Sequence, residues 1–224
     1  HKPNLVIFDL DYTITKRGTW GRFVWMCVRF RPHIWLPLLI SAGWTQWRYK
    51  QGHLPRIRVK QAMMHWAMAG WPKTRLEAMG DTFAEREVQN GLKPGAIKAL
   101  AEHRDAGNTI FIASAAVDIL VRPIARRLQV EHFVATEMAW DSSERLAPHF
   151  ASDNCYGEEK LRRIVSMIDA KPELQGLTAS VSYSDSAADL PLLRYTERGV
   201  AVDPKPKFET ITLSESTISV EKWI

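Results

Sequence analysis

The run Leu5-Val6-Ile7-Phe8 leads straight into Asp9-Leu10-Asp11-Tyr12-Thr13-Ile14-Thr15. Four apolar residues bounded by polar ones predict a buried strand over residues 4–9. Side chains alternate along a strand, so Asp9 and Asp11 are expected to point the same way at its carboxyl end. Open α/β sheets place their ligands at that end. Two carboxylates held together there repel unless a proton or a cation sits between them. A hard, oxygen-seeking ion such as Mg²⁺ answers that need.

The 224 residues are enough for one α/β domain with a small insertion. A hydrophobic content of 46% with 25% charged residues is an ordinary globular balance. The net charge of +5 suits an anionic substrate without arguing for nucleic acid. With no signal-like leader, Cys27 and Cys155 read as reduced thiols of a cytosolic protein.

Residues 16 to about 90 differ in character. No acidic residue occurs between Asp11 and Glu77, and seven of the nine tryptophans fall in this region. The spacing predicts helices over about 18–30, 33–50, 56–70 and 72–90, with Pro32, Pro37, Pro55 and Pro72 marking or kinking their starts. The most apolar run, Ile34 to Ile40, is far shorter than the roughly 20 residues a bilayer span needs. It reads as the core of a helical bundle or, flanked by Trp and Arg, as a headgroup-level surface.

From Gly91 the pattern returns to alternating helices and strands. A helix is expected over Pro94–Asp105, then a strand from Thr109 ending at Ser114, and a helix over Val117–Leu128. A strand at Phe133–Thr136 follows, then a hairpin from Met138 to Phe150 turning at Asp141-Ser142-Ser143-Glu144. A helix over Tyr156–Ile168, a strand from Thr178 to Ser184, a short helix from Ala187 to Tyr195 and a strand at Gly199–Val202 complete the pattern, with a tail after Asp203-Pro204. This alternation implies a parallel, doubly wound sheet.

Three further places carry candidate chemistry. Ser114 closes an apolar strand, where a serine alone most simply caps the helix that follows. Lys160 sits near a helix start, against the macrodipole preference, which favours a functional reason over plain solvation. Ser184-Asp185-Ser186-Ala187-Ala188-Asp189 places two carboxylates four residues apart and by itself reads as a helix start capped by Ser186.

Taken in order, Asp9-x-Asp11-x-Thr13, Ser114, Lys160 and Asp185 with Asp189 resemble the four motifs of the haloacid dehalogenase (HAD) superfamily. The resemblance covers the whole chain. Asn154-Cys155-Tyr156-Gly157-Glu158-Glu159-Lys160 and the Asp185 segment are similar to its phosphoserine-phosphatase-like subfamily IB. The resemblance implies a Rossmann-like core over residues 1–15 and 91–224, with a helical C1 cap over 16–90. It implies Asp9 as nucleophile, Asp11 as general acid and base, and Lys160 as the cation that neutralises Asp9 and the phosphoryl group. Ser114 and Ala115 join Asp9 and Lys160 in phosphate binding. Mg²⁺ is expected on Asp9, the Asp11 backbone carbonyl and Asp185, with Asp189 in or just behind that set. An acid at position 11 argues for a phosphatase or phosphotransferase.

Phosphoserine phosphatases carry a Glu shortly after the first motif, and by spacing Gly18 stands in its place here. An amino-acid substrate would lack its cation partner. The cap instead offers Arg17, Trp20, Arg22, Arg56 and Arg58 as substrate contacts, within a basic series that includes Arg29, Arg31, Arg48 and Lys60. These suit a lipid phosphate or another amphipathic phosphomonoester, such as a phosphatidylglycerophosphate-like ester. A small soluble phosphomonoester is the alternative. A membrane- or partner-binding protein with weak phosphatase activity is a further one. The expected setting is cytoplasmic, with peripheral membrane contact through the cap and no nucleic-acid partner.

Overall fold

The computed structural model describes residues 4–224. Leu5–Phe8 form β1, all four side chains buried. Val6 and Phe8 enter one apolar layer and Leu5 and Ile7 the other, as period-two alternation requires. The chain then leaves for four helices, α1 (Thr19–Val28), α2 (Pro32–Lys50), α3 (Ile57–Met68) and α4 (Lys73–Asn90). Exit and return are stitched together. Thr15 and Leu92 form an antiparallel bridge, Lys16 N donates to Gly91 O at 2.7 Å, and Lys93 N donates to Ile14 O at 2.9 Å.

The return runs through α5 (Pro94–Asp105), β2 (Thr109–Val117), α6 (Asp118–Arg127) and β3 (His132–Thr136). A hairpin follows, β4 (Met138–Trp140) and β5 (Leu146–Phe150). Asp141 shapes its turn: its Oδ1 accepts from the N–H groups of Ser143 and Arg145, at 2.8 and 2.9 Å. Then come α7 (Glu158–Ala170), β6 (Ala179–Ser184), α8 (Leu190–Tyr195), β7 (Arg198–Val202), α9 (Pro206–Thr212) and β8 (Ile218–Glu221).

Six parallel strands make one sheet in the order β3-β2-β1-β6-β7-β8. With the separate β4–β5 hairpin set aside, this is the doubly wound order of a Rossmann-like fold, and the direction in which strands are added reverses between β1 and β6. One layer joins Val6 and Phe8 to Ala99 and Leu100 of α5 and Ile124 of α6. The opposite layer joins Leu5 and Ile7 to Ile164 of α7 and Leu192 of α8. A third cluster packs Phe23, Met64, Met68 and Phe83 of the inserted helices against Leu120 of α6 and Phe150 of β5. Gly80 makes the α4–α6 crossing possible, since a Cβ there would stand 2.4 Å from the Ile119 carbonyl oxygen.

Two expectations change. The strand expected to stop at Ser114 continues to Val117, because the chain after it still pairs with β3, Val117 opposite Thr136. The expected tail after Asp203-Pro204 instead folds as α9 and a sixth strand. Its residues Ile218 to Glu221 pair along β7, and Trp223 is buried against Phe8 and Tyr183. Among the described residues no helix is long and apolar enough to cross a membrane.

Candidate active site

β1 ends at Phe8, and Asp9 N is held by the Tyr183 carbonyl of β6 at 2.9 Å. This places Asp9 at the reversal point of the sheet. The backbone then opens into a wide turn over Leu10–Ile14, with Tyr12 in the left-handed region at φ 61° and Thr15 N closing on Leu10 O at 2.9 Å. Strand alternation therefore does not reach Asp11. Its Oδ1 instead accepts from Thr19 N at 3.0 Å, one of the free N–H groups at the start of α1. Thr13 links the two flanking strands. Its hydroxyl donates to Asp9 Oδ2 at 3.3 Å and accepts from Asp185 N at 3.0 Å.

Lys160 is 2% exposed and bridges two carboxylates, Asp9 Oδ1 at 2.8 Å and Asp189 Oδ2 at 2.6 Å. Ser184 Oγ also donates to Asp189 Oδ2, at 2.7 Å. Gly157, at φ 62°, turns the chain into α7 two residues before Glu159 and so brings Lys160 inward. Burial pulls the Lys160 ammonium down, but Asp189 and Asp9 outweigh it and hold the group above its ordinary range. Burial pushes the Asp9 carboxyl up to about 7, against Lys160, and Asp189 and Asp185 push the same way. Asp185 is pushed up to about 6, first by burial and then by Asp189. Burial also raises Asp11, while the Thr19 hydrogen bonds oppose it, so this carboxyl is tuned toward carrying a proton.

Ser114 is fully buried, and its Oγ accepts from Ala116 N at 3.0 Å. The Ala115 carbonyl accepts from Thr136 Oγ1 at 2.9 Å and from Lys60 Nζ. Lys60 comes from α3, in the inserted helices, and its ammonium also donates to Asn154 Oδ1 at 2.6 Å. Burial and the nearby Arg56 pull Lys60 down to about 8, while Asp11 pulls the other way. Lys60 is thus a second cation at the site. In the sequence it was one base among many in the insertion, and no local signal marks it.

The other predicted contacts are placed differently. Trp20 is buried in the insertion's apolar cluster. Arg22 forms a bidentate pair with buried Glu87, at 2.8 and 2.6 Å. Arg56 lies over the Tyr156 ring at 4.3 Å. Arg58 reaches Gln61 at 3.2 Å on the surface. Arg17 has an exposed side chain, and its carbonyl accepts from Thr15 Oγ1. Gly18 precedes α1, and a Cβ there would stand 3.2 Å from the Tyr12 ring.

The donor set fits a hard divalent cation. Asp9, Asp11, Asp185 and Asp189 bring four carboxyl groups against the two ammonium groups of Lys160 and Lys60. Asp189 Oδ1 is buried with no hydrogen-bond partner, and Asp9 and Asp185 are pushed up first by burial and then by neighbouring carboxylates, so an added divalent cation would favour their ionised forms. Among the described residues, the group whose ligand atoms lie within 4.8 Å of one another is elsewhere, at Glu131, His132 and Glu173. There Lys171 Nζ already stands 3.1 Å from His132 Nδ1.

A family model described as haloacid dehalogenase-like hydrolase matches residues 6–194, spanning all of these groups. The chain is 27% identical over 201 residues to Protein CicA of Caulobacter vibrioides, covering 86% of this chain and 83% of that protein. It is 23% identical over 218 residues to a histidinol-phosphatase of Neisseria meningitidis, covering 92% and 93%. A crystal structure of a protein of unknown function from Bordetella pertussis Tohama I superposes with a TM-score of 0.83 at 22% identity, over 99% of both chains. The chain belongs to the haloacid dehalogenase-like hydrolase family.

Proposed function

We propose that the protein is a Mg²⁺-dependent phosphomonoesterase that works through an aspartyl-phosphate on Asp9. The observation that carries the reading is the buried Asp9–Lys160–Asp189 bridge at the sheet's reversal point, with Asp11 and Asp185 beside it. A carboxylate attacking a phosphate dianion needs neighbouring positive charge more than any other help. Lys160 and Lys60 supply it, one from the core and one from the insertion. The helices of residues 16–90 act as a cap on a core formed by the remainder, consistent with the stitched crossing at Thr15–Leu92 and with the reach of Lys60.

In the first step an Asp9 oxygen bonds to phosphorus and the ester P–O bond breaks. Asp11, tuned by burial toward its protonated form, gives its proton to the leaving alkoxide. In the second step water attacks the same phosphorus and Asp11 takes its proton. The Asp9–phosphorus bond breaks and phosphate leaves. Ser114 and the Ala115 N–H line the phosphoryl side. Asp9, the Asp11 carbonyl and Asp185 would hold Mg²⁺, with Asp189 beside them, and the ion's contribution is to neutralise phosphoryl charge.

For the substrate we favour a lipid phosphate or a comparable amphipathic phosphomonoester. Large apolar side chains are exposed on the insertion, including Phe30, Leu36 and Trp44, and no carboxylate stands at Gly18 to meet a substrate ammonium. The second reading is a small soluble phosphomonoester, supported by likeness to the histidinol-phosphatase. Phosphate release from a panel with Mg²⁺ or with EDTA tests both. The panel spans phosphoserine, histidinol phosphate, glycerol phosphates, and phosphatidylglycerophosphate in detergent. Asp9→Asn should release no phosphate from any of them; full activity would overturn the nucleophile assignment.

A further inference from the structure

The face that α2 turns to solvent is apolar. Leu36, Leu39, Ile40, Trp44 and Trp47 are all at least half exposed, recurring at the three- and four-residue spacing of one helix side. The less exposed positions in the helix's second half are Ser41, Ala42, Thr45, Gln46, Arg48 and Tyr49, while Leu38 is buried and Ile34 and Trp35 are partly buried against the insertion's core. An ordinary surface helix keeps its solvent face polar. Trp44 and Trp47 pack against each other, ring centroids 5.1 Å apart, rather than into the protein. At the preceding turn Phe30 is 83% exposed under the Arg29 guanidinium.

The segment that carries this face bears charge of one sign. Arg29 and Lys50 are exposed at its two ends, and neither joins an ion pair among the described residues. No acidic residue lies anywhere between Asp11 and Glu77. A second copy of this chain is therefore a poor occupant, because a two-fold contact would set these cations against themselves. An acidic bilayer surface meets both features at once. Tryptophan rings and aliphatic side chains enter the headgroup–acyl boundary while Arg and Lys meet lipid phosphates.

We infer that the exposed side of α2, with Phe30 in the turn before it, docks the protein on anionic membrane surfaces as an interfacial helix. Lying flat is the geometry its length and charges allow, since among the described residues no helix is apolar enough to span. The adjoining α3 carries Lys60 to the active site, so the docked element and the catalytic core are one packing step apart. The inference deepens the lipid-phosphate reading, and it is measured without turnover.

Co-sedimentation with vesicles of phosphatidylcholine alone, or mixed with phosphatidylglycerol, reads the binding. The parent protein should partition onto the mixed vesicles, far less onto the neutral ones, and less as salt rises. Trp44→Ser with Trp47→Ser should weaken partition by about tenfold or more, since two buried rings are lost. Arg29→Glu with Lys50→Glu should abolish the preference for anionic lipid. Hydrolysis of p-nitrophenyl phosphate by these variants should match the parent, which separates docking from catalysis. Loss of p-nitrophenyl phosphate hydrolysis in the parent would instead strike at the proposed function and leave the vesicle result standing. No vesicle binding by the parent, equal binding by the double-serine variant, or a parent dimer that this variant dissociates would overturn the inference.

Discussion

Replacing Lys160 by methionine keeps the stem's volume and removes the one ammonium that touches both Asp9 and Asp189. Breaking a buried pair by deleting one partner costs about 3–5 kcal/mol, because the remaining charge is left in a medium that cannot solvate it. A chain of this size loses roughly 2–4 °C of melting temperature per kcal/mol, so the variant should melt about 6–20 °C lower at pH 8. The deficit should depend on pH in a set direction. Asp9 is already raised to about 7 with the ammonium present and would rise further without it. A carboxyl raised in the folded state contributes stability below its unfolded value of about 3.9, and loses that contribution as pH climbs through its folded value. The Lys160→Met deficit should therefore narrow between pH 8 and pH 5. Adding Asp189→Asn removes one stranded carboxylate and should recover part of the loss, giving a coupling energy of about 1 kcal/mol or more in a double-mutant cycle. Thermal and urea unfolding at both pH values measure all of this. A variant melting within about 2 °C of the parent at pH 8, or a deficit that does not change with pH, would refute the view that Lys160 offsets these carboxylates.

Mg²⁺ should compete with protons for Asp9 and Asp185, held at about 7 and about 6. Its affinity by titration calorimetry should fall about tenfold or more from pH 8 to pH 5.5, with protons released on binding at the lower pH; a flat profile would count against these ligands. Lys60→Met should raise KM about tenfold or more. The parent should lose activity above pH 8 as the Lys60 ammonium, held at about 8, gives up its charge; that limb should vanish in the variant, and Lys60→Arg should recover part of the KM without restoring the limb, because a guanidinium keeps its charge. Arg22→Ala strands the buried Glu87 carboxylate and should cost about 2–3 kcal/mol of stability with KM unchanged. A raised KM with normal stability would make Arg22 a substrate contact instead.

The sequence alone determined what near neighbours encode. Leu5 to Phe8 had to be a strand buried on both faces, and Asp9 had to stand at its carboxyl end. The alternation of strands and helices after Gly91 dictated a parallel sheet whose reversal point gathers Asp9 and Asp185. These follow from periodicity and from the steric rules of βαβ crossovers, both readable within a few residues. Tertiary structure decided whatever depends on residues far apart. Asp11 left the strand direction because a wide turn offered it the Thr19 N–H. Lys160 found Asp9 across 151 positions, Lys60 crossed from α3 to the Ala115 carbonyl, and Arg22 was taken by Glu87. The residues after Pro204 became a strand because β7 left an open edge to pair with. The side of α2 that faces out was equally beyond reach of the sequence. Apolar residues lie all around that helix, so only its packing on α3 could settle which of them the protein buries and which it shows to solvent.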